Sequence, residues 1–172
     1  MVTTEPVGVL DPRFSQVGAP ATEWVQARAA LRDAEVSWLT TVRPDSRPHV
    51  TPLLSVWVDE ALNFVLGPTE IKTKNLQRNP HSVMTTGTNA FNEGLDVVVE
   101  GDSLQVSDEA VLRRLAEAYE AKYGSDWIFT VADGLFQSAR GPAPVYRLVP
   151  ARVFAFGKGE KFSQTRWNFD QG

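Results

Sequence analysis

The sequence contains no cysteine. Disulfides, thiol nucleophiles and thiolate metal sites are therefore excluded. Histidine is scarce as well. The two present, His49 and His81, lie far apart without other ligand-like spacing, so no histidine-based metal centre is expected. A basic excess is also missing: 17 Lys and Arg stand against 21 Asp and Glu, for a net charge of −4. That balance argues against a general nucleic-acid binder or a binder of anionic membranes, which need a cationic surface. No apolar run approaches membrane-spanning length. The opening MVTTEPVGVLDPRF has no basic start followed by a long apolar run, so no signal peptide is expected and a cytoplasmic location is the default reading. Glycine-rich phosphate loops of the Walker or Rossmann kind are absent. Glu93, Asp96 and Glu100 have the spacing of exposed turn and strand positions rather than of a hydrolytic carboxylate pair. Ser46, Ser55, Ser82 and Ser103 lack the context of a nucleophile elbow.

What is present is enough for one domain with a substantial core. The 172 residues are 42% hydrophobic and include five Trp and nine Phe. Residues 1–20, with three prolines and two glycines, read as an irregular arm. ATEWVQARAALRDAE predicts a helix capped by Thr22, with Trp24, Ala27 and Leu31 on one apolar stripe. VSWLTTVR, HVTPLLSVWV and ALNFVL read as three successive strands, separated by PDSRP and DE turns. HSVMTTGT predicts another strand, and LDVVVEGDSLQVS one long strand or a hairpin bent at Gly101. DEAVLRRLAEAYEAKYG is the clearest helix, capped by Asp108 and ended by Gly124. APVYRLVP and ARVFAFGKG look like a closing hairpin, and residues 160–172 like a polar-aromatic tail. Strands follow strands without the helix crossovers that a parallel sheet needs. The expected architecture is therefore mainly β within an α+β class: an antiparallel sheet closing into a small barrel over residues 21–159, with flanking helices.

One stretch stands out against the acidic background. KTKNLQRNP, residues 72–80, places Lys72, Lys74 and Arg78 just after a strand end, with Thr69 as an expected helix cap and Pro80 as a stop. A short cationic helix commonly just points its charges into water. Here hydroxyls at Thr69 and Thr73 accompany the ammonium groups, and the first turn of a helix offers unpaired N–H groups at the positive end of its dipole. Together these can hold a phosphate.

RPHVTPL on the second strand, FVLGP on the third and KTKNLQRNP after it resemble the pyridoxamine 5′-phosphate oxidase-like split-barrel flavoproteins, most closely the actinobacterial flavin/deazaflavin oxidoreductase branch. The resemblance implies a six-stranded antiparallel split β-barrel of the FMN-binding type. It also implies a homodimer with the cofactor in a groove between subunits. The cofactor would be the deazaflavin F420, preferred from the KTKN form and the length of the basic track, or FMN. Lys72, Thr73, Lys74 and Asn75 would hold its phosphate. His49, Val50, Thr51 and Pro52 would run under the ring system, and Leu66, Gly67 and Pro68 would border it. Strand alternation adds that His49 and Thr51 share one face, and Val50 and Pro52 the other. The longer basic signature and the Arg- and His-bearing C-terminus of the pyridoxamine phosphate oxidases proper are missing, which puts vitamin B6 oxidation in doubt.

The implied activity is hydride transfer to or from a small, planar, unsaturated substrate, with the cofactor supplying the chemistry. No catalytic acid or base is assigned. Tyr119 and Tyr123 are expected to pack, and Trp38, Trp57 and Trp127 to lie in the core or at an interface rather than to stack on a ring. The alternative is a carrier of flavin, haem or another tetrapyrrole without turnover, because one fold hosts both. In that case His49 and His81 are the candidate axial ligands.

Overall fold

The computed structural model describes residues 5–169. Its elements are β1 (Val9–Leu10), α1 (Trp24–Asp33), β2 (Ser37–Val42), β3 (Pro48–Leu53), β4 (Ser55–Val58), β5 (Ala61–Val65), α2 (Ile71–Arg78), β6 (His81–Thr86), β7 (Gly94–Val106), α3 (Glu109–Tyr123), a 3-10 turn at Ser125–Trp127, β8 (Thr130–Ala132), β9 (Leu135–Ser138), β10 (Gly141–Ala143), β11 (Val145–Lys158) and β12 (Ser163–Asn168). Nine strands form one sheet with the path β1-β12-β11-β7-β6-β2-β3, and β5 pairs with both β11 and β4. Every pairing is antiparallel. Without the additions β1, β4 and β12, six strands remain, which is the expected α+β split barrel. The sheet is not closed.

The split is visible along β11. One edge of this strand pairs with β7 from Val145 to Lys158. The other edge is divided: Val145–Leu148 receives β5, and residues 152–157 receive β12. A register shift between Pro150 and Arg152 separates the two halves. The expected closing hairpin over 143–159 is thus a single bulged strand. The Pro150–Ala151 signal, read as a turn, is a bulge, one of the few places a sheet tolerates proline. Gly101 of β7 lies opposite Pro150. A Cβ there would run into the Val149 carbonyl oxygen, which explains glycine in the middle of an unbroken strand.

The sequence also read residues 49–58 as one strand, whereas the chain breaks at Leu54. β3 pairs with β2, and β4 pairs with β5. Helix α3 fixes this break. Tyr119 donates its hydroxyl to Leu54 O at 3.0 Å, and Tyr123 donates to Ser55 O at 2.9 Å. The two tyrosines therefore do pack, and they also tie down the crossing point between the barrel halves.

Two helix caps differ from expectation. The N-cap of α1 is Glu23, whose N–H donates to Gln26 Oε1 at 3.0 Å, while Thr22 donates its N–H to Thr165 on β12. The N-cap of α2 is Glu70, not Thr69. Asp108 caps α3 as expected, accepting from Val111 N at 2.9 Å, and Gly124 ends the helix at φ 82°.

The main core lies between α1 and the sheet, where Trp24, Leu31, Leu39, Phe64, Met84 and Trp167 meet. A second cluster sits under α3, around Leu112, Leu115, Tyr119 and Phe136. Trp127 packs against the second cluster and Trp57 against the first, but Trp38 is half-exposed. Among the described residues no helix is long and apolar enough to cross a membrane, and no group of three metal-ligating side chains gathers.

Candidate cofactor site

Strand β3 is an edge strand, and its alternation follows the pleat: His49 and Thr51 are partly buried, Val50 and Pro52 exposed. His49 lies opposite Thr41 and Thr51 opposite Leu39 on β2, and both partners are fully buried. The His49–Thr51 face is therefore the barrel face. His49 Nδ1 and Thr51 Oγ1 are buried there without a hydrogen-bond partner among the described residues. Buried polar atoms are normally paired, and leaving one unpaired costs about 1–3 kcal/mol. Two such atoms two residues apart on one strand face mark a place where a ligand's polar groups would be satisfied. Burial, and after it the nearby charges of Arg43 and Lys72, push the His49 pKa below its ordinary value. The imidazole is thus held neutral close to two cations.

The chain leaves β5 through Leu66, Gly67 and Pro68. Leu66 belongs to the core, and its N–H donates to Pro144 O at 3.1 Å. Gly67 donates its N–H to Glu70 Oε1 at 2.8 Å and accepts from Thr73 Oγ1 at 2.7 Å. A Cβ on Gly67 would sit 2.7 Å from Glu70 Oε1. The close approach that this glycine permits is thus made by the chain's own carboxylate. Pro68 is exposed.

On α2 the four residues of KTKN separate. Lys72 is mostly buried and forms an ion pair with Glu70. Burial lowers its pKa. Thr73 is fully buried, its hydroxyl used on Gly67. Asn75 is buried too and donates Nδ2 to Thr41 Oγ1 at 2.9 Å. Lys74 and Arg78 are exposed, four residues apart on the outward side. The three cations therefore do not form one continuous track: helical periodicity buries most of Lys72 and leaves the other two exposed.

The structure thus sets His49 and Thr51 together on the barrel face, with the Lys72 charge near enough to act on His49. It uses Thr73 and Asn75 to hold α2 in place, buries Leu66, and puts Val50 and Pro52 on the opposite face of β3. Sequence reading missed Glu70 and Thr41. For Glu70 a signal existed, since a carboxylate directly before a helix is favoured by the dipole and sits two residues from Lys72. Thr41 carried none, because its role depends on the packing of α2 over β2.

A cavity of about 730 Å³ lies elsewhere, lined by Pro20, Thr22, Gly157, Lys158 and Lys161 among others. Its lysines are already engaged: Lys158 donates to Thr88 O at 2.6 Å and Lys161 to Gly18 O at 3.1 Å. The patch beside β3 is the stronger candidate, because two of its buried polar atoms, His49 Nδ1 and Thr51 Oγ1, lack partners among the described residues.

No curated protein matches this sequence significantly. Solved structures do match in fold. A conserved hypothetical protein, Rv2991, from Mycobacterium tuberculosis is 17% identical, with 83% of this chain and 89% of that one covered at a TM-score of 0.66. The FAD binding protein from Mycobacterium smegmatis is 15% identical, with 86% and 97% covered at a TM-score of 0.56. The haem storage protein HutZ from Vibrio cholerae is 19% identical, with 78% and 92% covered at a TM-score of 0.61. At these identities the likeness establishes the shared fold. The sequence profile described as pyridoxamine 5′-phosphate oxidase matches residues 24–157, which take in the barrel strands from β2 to β11 and helices α1 to α3, and this chain therefore belongs to that family.

Proposed function

We propose that this protein binds a flavin-type redox cofactor, F420 or FMN, at the β3–α2 patch and serves as an oxidoreductase for a small planar unsaturated substrate. The observation that carries this reading is the pair of unpartnered atoms, His49 Nδ1 and Thr51 Oγ1, on the barrel face within the field of Lys72. Such a cofactor supplies hydride chemistry at its ring when bound. The residues present fit it: Lys72 offers a cation for a phosphate, and His49 and Thr51 offer hydrogen bonds to polar ring or chain atoms. Thr73 and Asn75 act indirectly, by fixing the helix that carries Lys72. Leu66, Gly67 and Pro68 form the rim, and Val50 and Pro52 contribute strand backbone. The fold shared with a FAD binding protein is consistent with this reading.

In the proposed assembly a second copy of the chain completes the groove. Trp38, 50% exposed on β2, and Val50, 53% exposed on β3, lie on the outer face of neighbouring strands and would be covered by such pairing.

Titration of the purified protein with FMN and with F420, followed by fluorescence, tests the reading. Lys72→Ala should weaken whichever cofactor binds by about 1.5–3 kcal/mol, the range for a charge-assisted hydrogen bond. Lys74→Ala should weaken it less, given its outward position. Unchanged affinity in Lys72→Ala would remove the assignment.

A second reading, haem or tetrapyrrole carriage without turnover, rests on the contrast between the two histidines. His81 Nδ1 is held by Asp102 Oδ1 at 2.5 Å, whereas His49 Nδ1 has no partner among the described residues. His49 is then the axial ligand to test, and a Soret band lost in His49→Ala but kept in His81→Ala would favour this reading.

A further inference from the structure

The donors that the proposed site offers to an anion are already engaged by a carboxylate of the same chain. Glu70 Oε1 accepts from the Gly67 N–H at 2.8 Å, and its other oxygen pairs with the ammonium of Lys72. The Gly67 carbonyl is held from the opposite side by Thr73 Oγ1 at 2.7 Å, so the loop that carries the N–H is fixed. The Glu70 backbone belongs to the same fixed turn: its N–H donates to Gly67 O at 3.2 Å, and its carbonyl accepts from Lys74 N at 3.1 Å. Only the side chain beyond Cβ is free to move. It is also partly exposed, with 40% relative accessibility against 16% for Lys72. The carboxylate can therefore swing into water while the cation stays behind.

Two neighbouring facts separate this arrangement from an ordinary surface ion pair. His49 Nδ1 and Thr51 Oγ1 have no partner among the described residues, so the patch has polar capacity that Glu70 does not fill. Gly67 has no side chain, and any Cβ there would crowd Glu70 Oε1 at 2.7 Å. The carboxylate thus occupies a fitted seat.

Resting on the cofactor reading above, we propose that Glu70 is a built-in competing anion. It occupies the Lys72 and Gly67 donors when the site is empty and is displaced by the phosphate of the cofactor. Two anions cannot share one ammonium and one N–H without strong repulsion. Displacement makes the site selective, because a dianionic phosphate ester competes with a carboxylate better than a singly charged group does. It also keeps Lys72 from remaining an unpaired, largely buried charge in the apoprotein.

The test is a double-mutant cycle read by FMN binding, with F420 titrated in parallel. Glu70→Gln keeps an oxygen that can accept from Gly67 N–H but removes the charge. It should bind FMN roughly tenfold more tightly than wild type, since Lys72 is no longer occupied by a competing carboxylate. In a Lys72→Ala background the same substitution should bring no gain, which separates competition for Lys72 from a general change in charge. A second measurement needs no variant. In the wild-type chain, saturation with FMN should shift the Gly67 amide and Glu70 carboxyl resonances, as their mutual bond opens. Glu70→Gln with equal or weaker binding would overturn the proposal, as would a Gly67 amide that does not move on saturation. If neither wild type nor Glu70→Gln binds FMN or F420, the site itself is wrong and the cofactor reading falls first.

Discussion

Asn75 on α2 donates its side-chain amide to the hydroxyl of Thr41 on β2 at 2.9 Å, with both side chains buried. Thr41 in turn lies opposite His49 in the register of β2 with β3. This hydrogen bond therefore helps to hold the helix that carries Lys72 over the strand next to the one that carries the unpartnered imidazole. Asn75→Ala should destabilise the fold by about 1–3 kcal/mol, because a buried hydroxyl loses its donor. Urea unfolding measures this. Cofactor affinity should fall with it, because the helix that carries Lys72 loses this anchor. A variant with unchanged stability would show that α2 is held by its apolar contacts alone.

His49 is kept neutral by burial and by the Arg43 and Lys72 charges, so its folded pKa lies below the ordinary 6.5. On acidification the unfolded chain takes up this proton first. Stability contributed here is therefore present above the ordinary imidazole value and is lost as pH falls through the window beneath it. Proton-detected titration of the His49 ring should give a midpoint under 6.5. A bound phosphate ester should raise that midpoint by offsetting the cations. A midpoint at or above the ordinary value would contradict the described surroundings of the ring.

Trp167 on β12 is 1% exposed, and its ring meets Trp24 of α1 at 5.4 Å between centroids. The C-terminal strand is thus part of the main core. Trp167→Ala should cost about 3–5 kcal/mol, the range for deleting a buried aromatic. Thermal or urea denaturation would reveal it. A loss under 1 kcal/mol would mean that β12 merely lies on the surface.

Lys122 on α3 donates to Ser55 O at 2.8 Å, at the break between β3 and β4. Burial lowers its pKa from 10.5 to about 8 despite the favourable charge of Asp33. Between these two values the unfolded chain holds a proton that the folded chain has lost, so stability rises with pH across that window. Unfolding free energies of wild type and Lys122→Met, compared at pH 7.5 and 9.5, should show a gain for wild type that the variant lacks. Parallel pH profiles would mean the amine is solvated.

Much of the strand plan was legible, because alternation and β-branched runs report a sheet with one buried face. β2, β5, β6 and β7 lie where those patterns put them. The misreadings share one cause. Whether Leu54 interrupts a strand, or Pro150 merely bulges one, depends on which partner each half pairs with. Residues 49–58 serve β2 first and β5 afterwards; residues 145–158 serve β5 first and β12 afterwards. Pairing partners are distant in sequence and leave no local trace. The small sheet β8–β10, opposite α3, went unread because its strands are only three or four residues long.

The sequence by itself determined the chemistry available: no thiols, few imidazoles, an acidic balance, a cationic segment after a strand, and enough apolar side chains to fold an antiparallel barrel. These follow from composition and from the periods of two and 3.6 residues, which are local properties of the chain. Only the tertiary structure decided which of those groups face one another. The packing of α2 on β2 buried most of Lys72 near enough to act on His49, spent Thr73 and Asn75 on holding the helix, left Lys74 and Arg78 exposed, and set Glu70 on the donors an anion would use. Asn75 meets Thr41 across 34 positions, whereas Glu70 and Thr73 meet near neighbours; in each case burial and hydrogen-bond geometry, rather than residue type, select the partner.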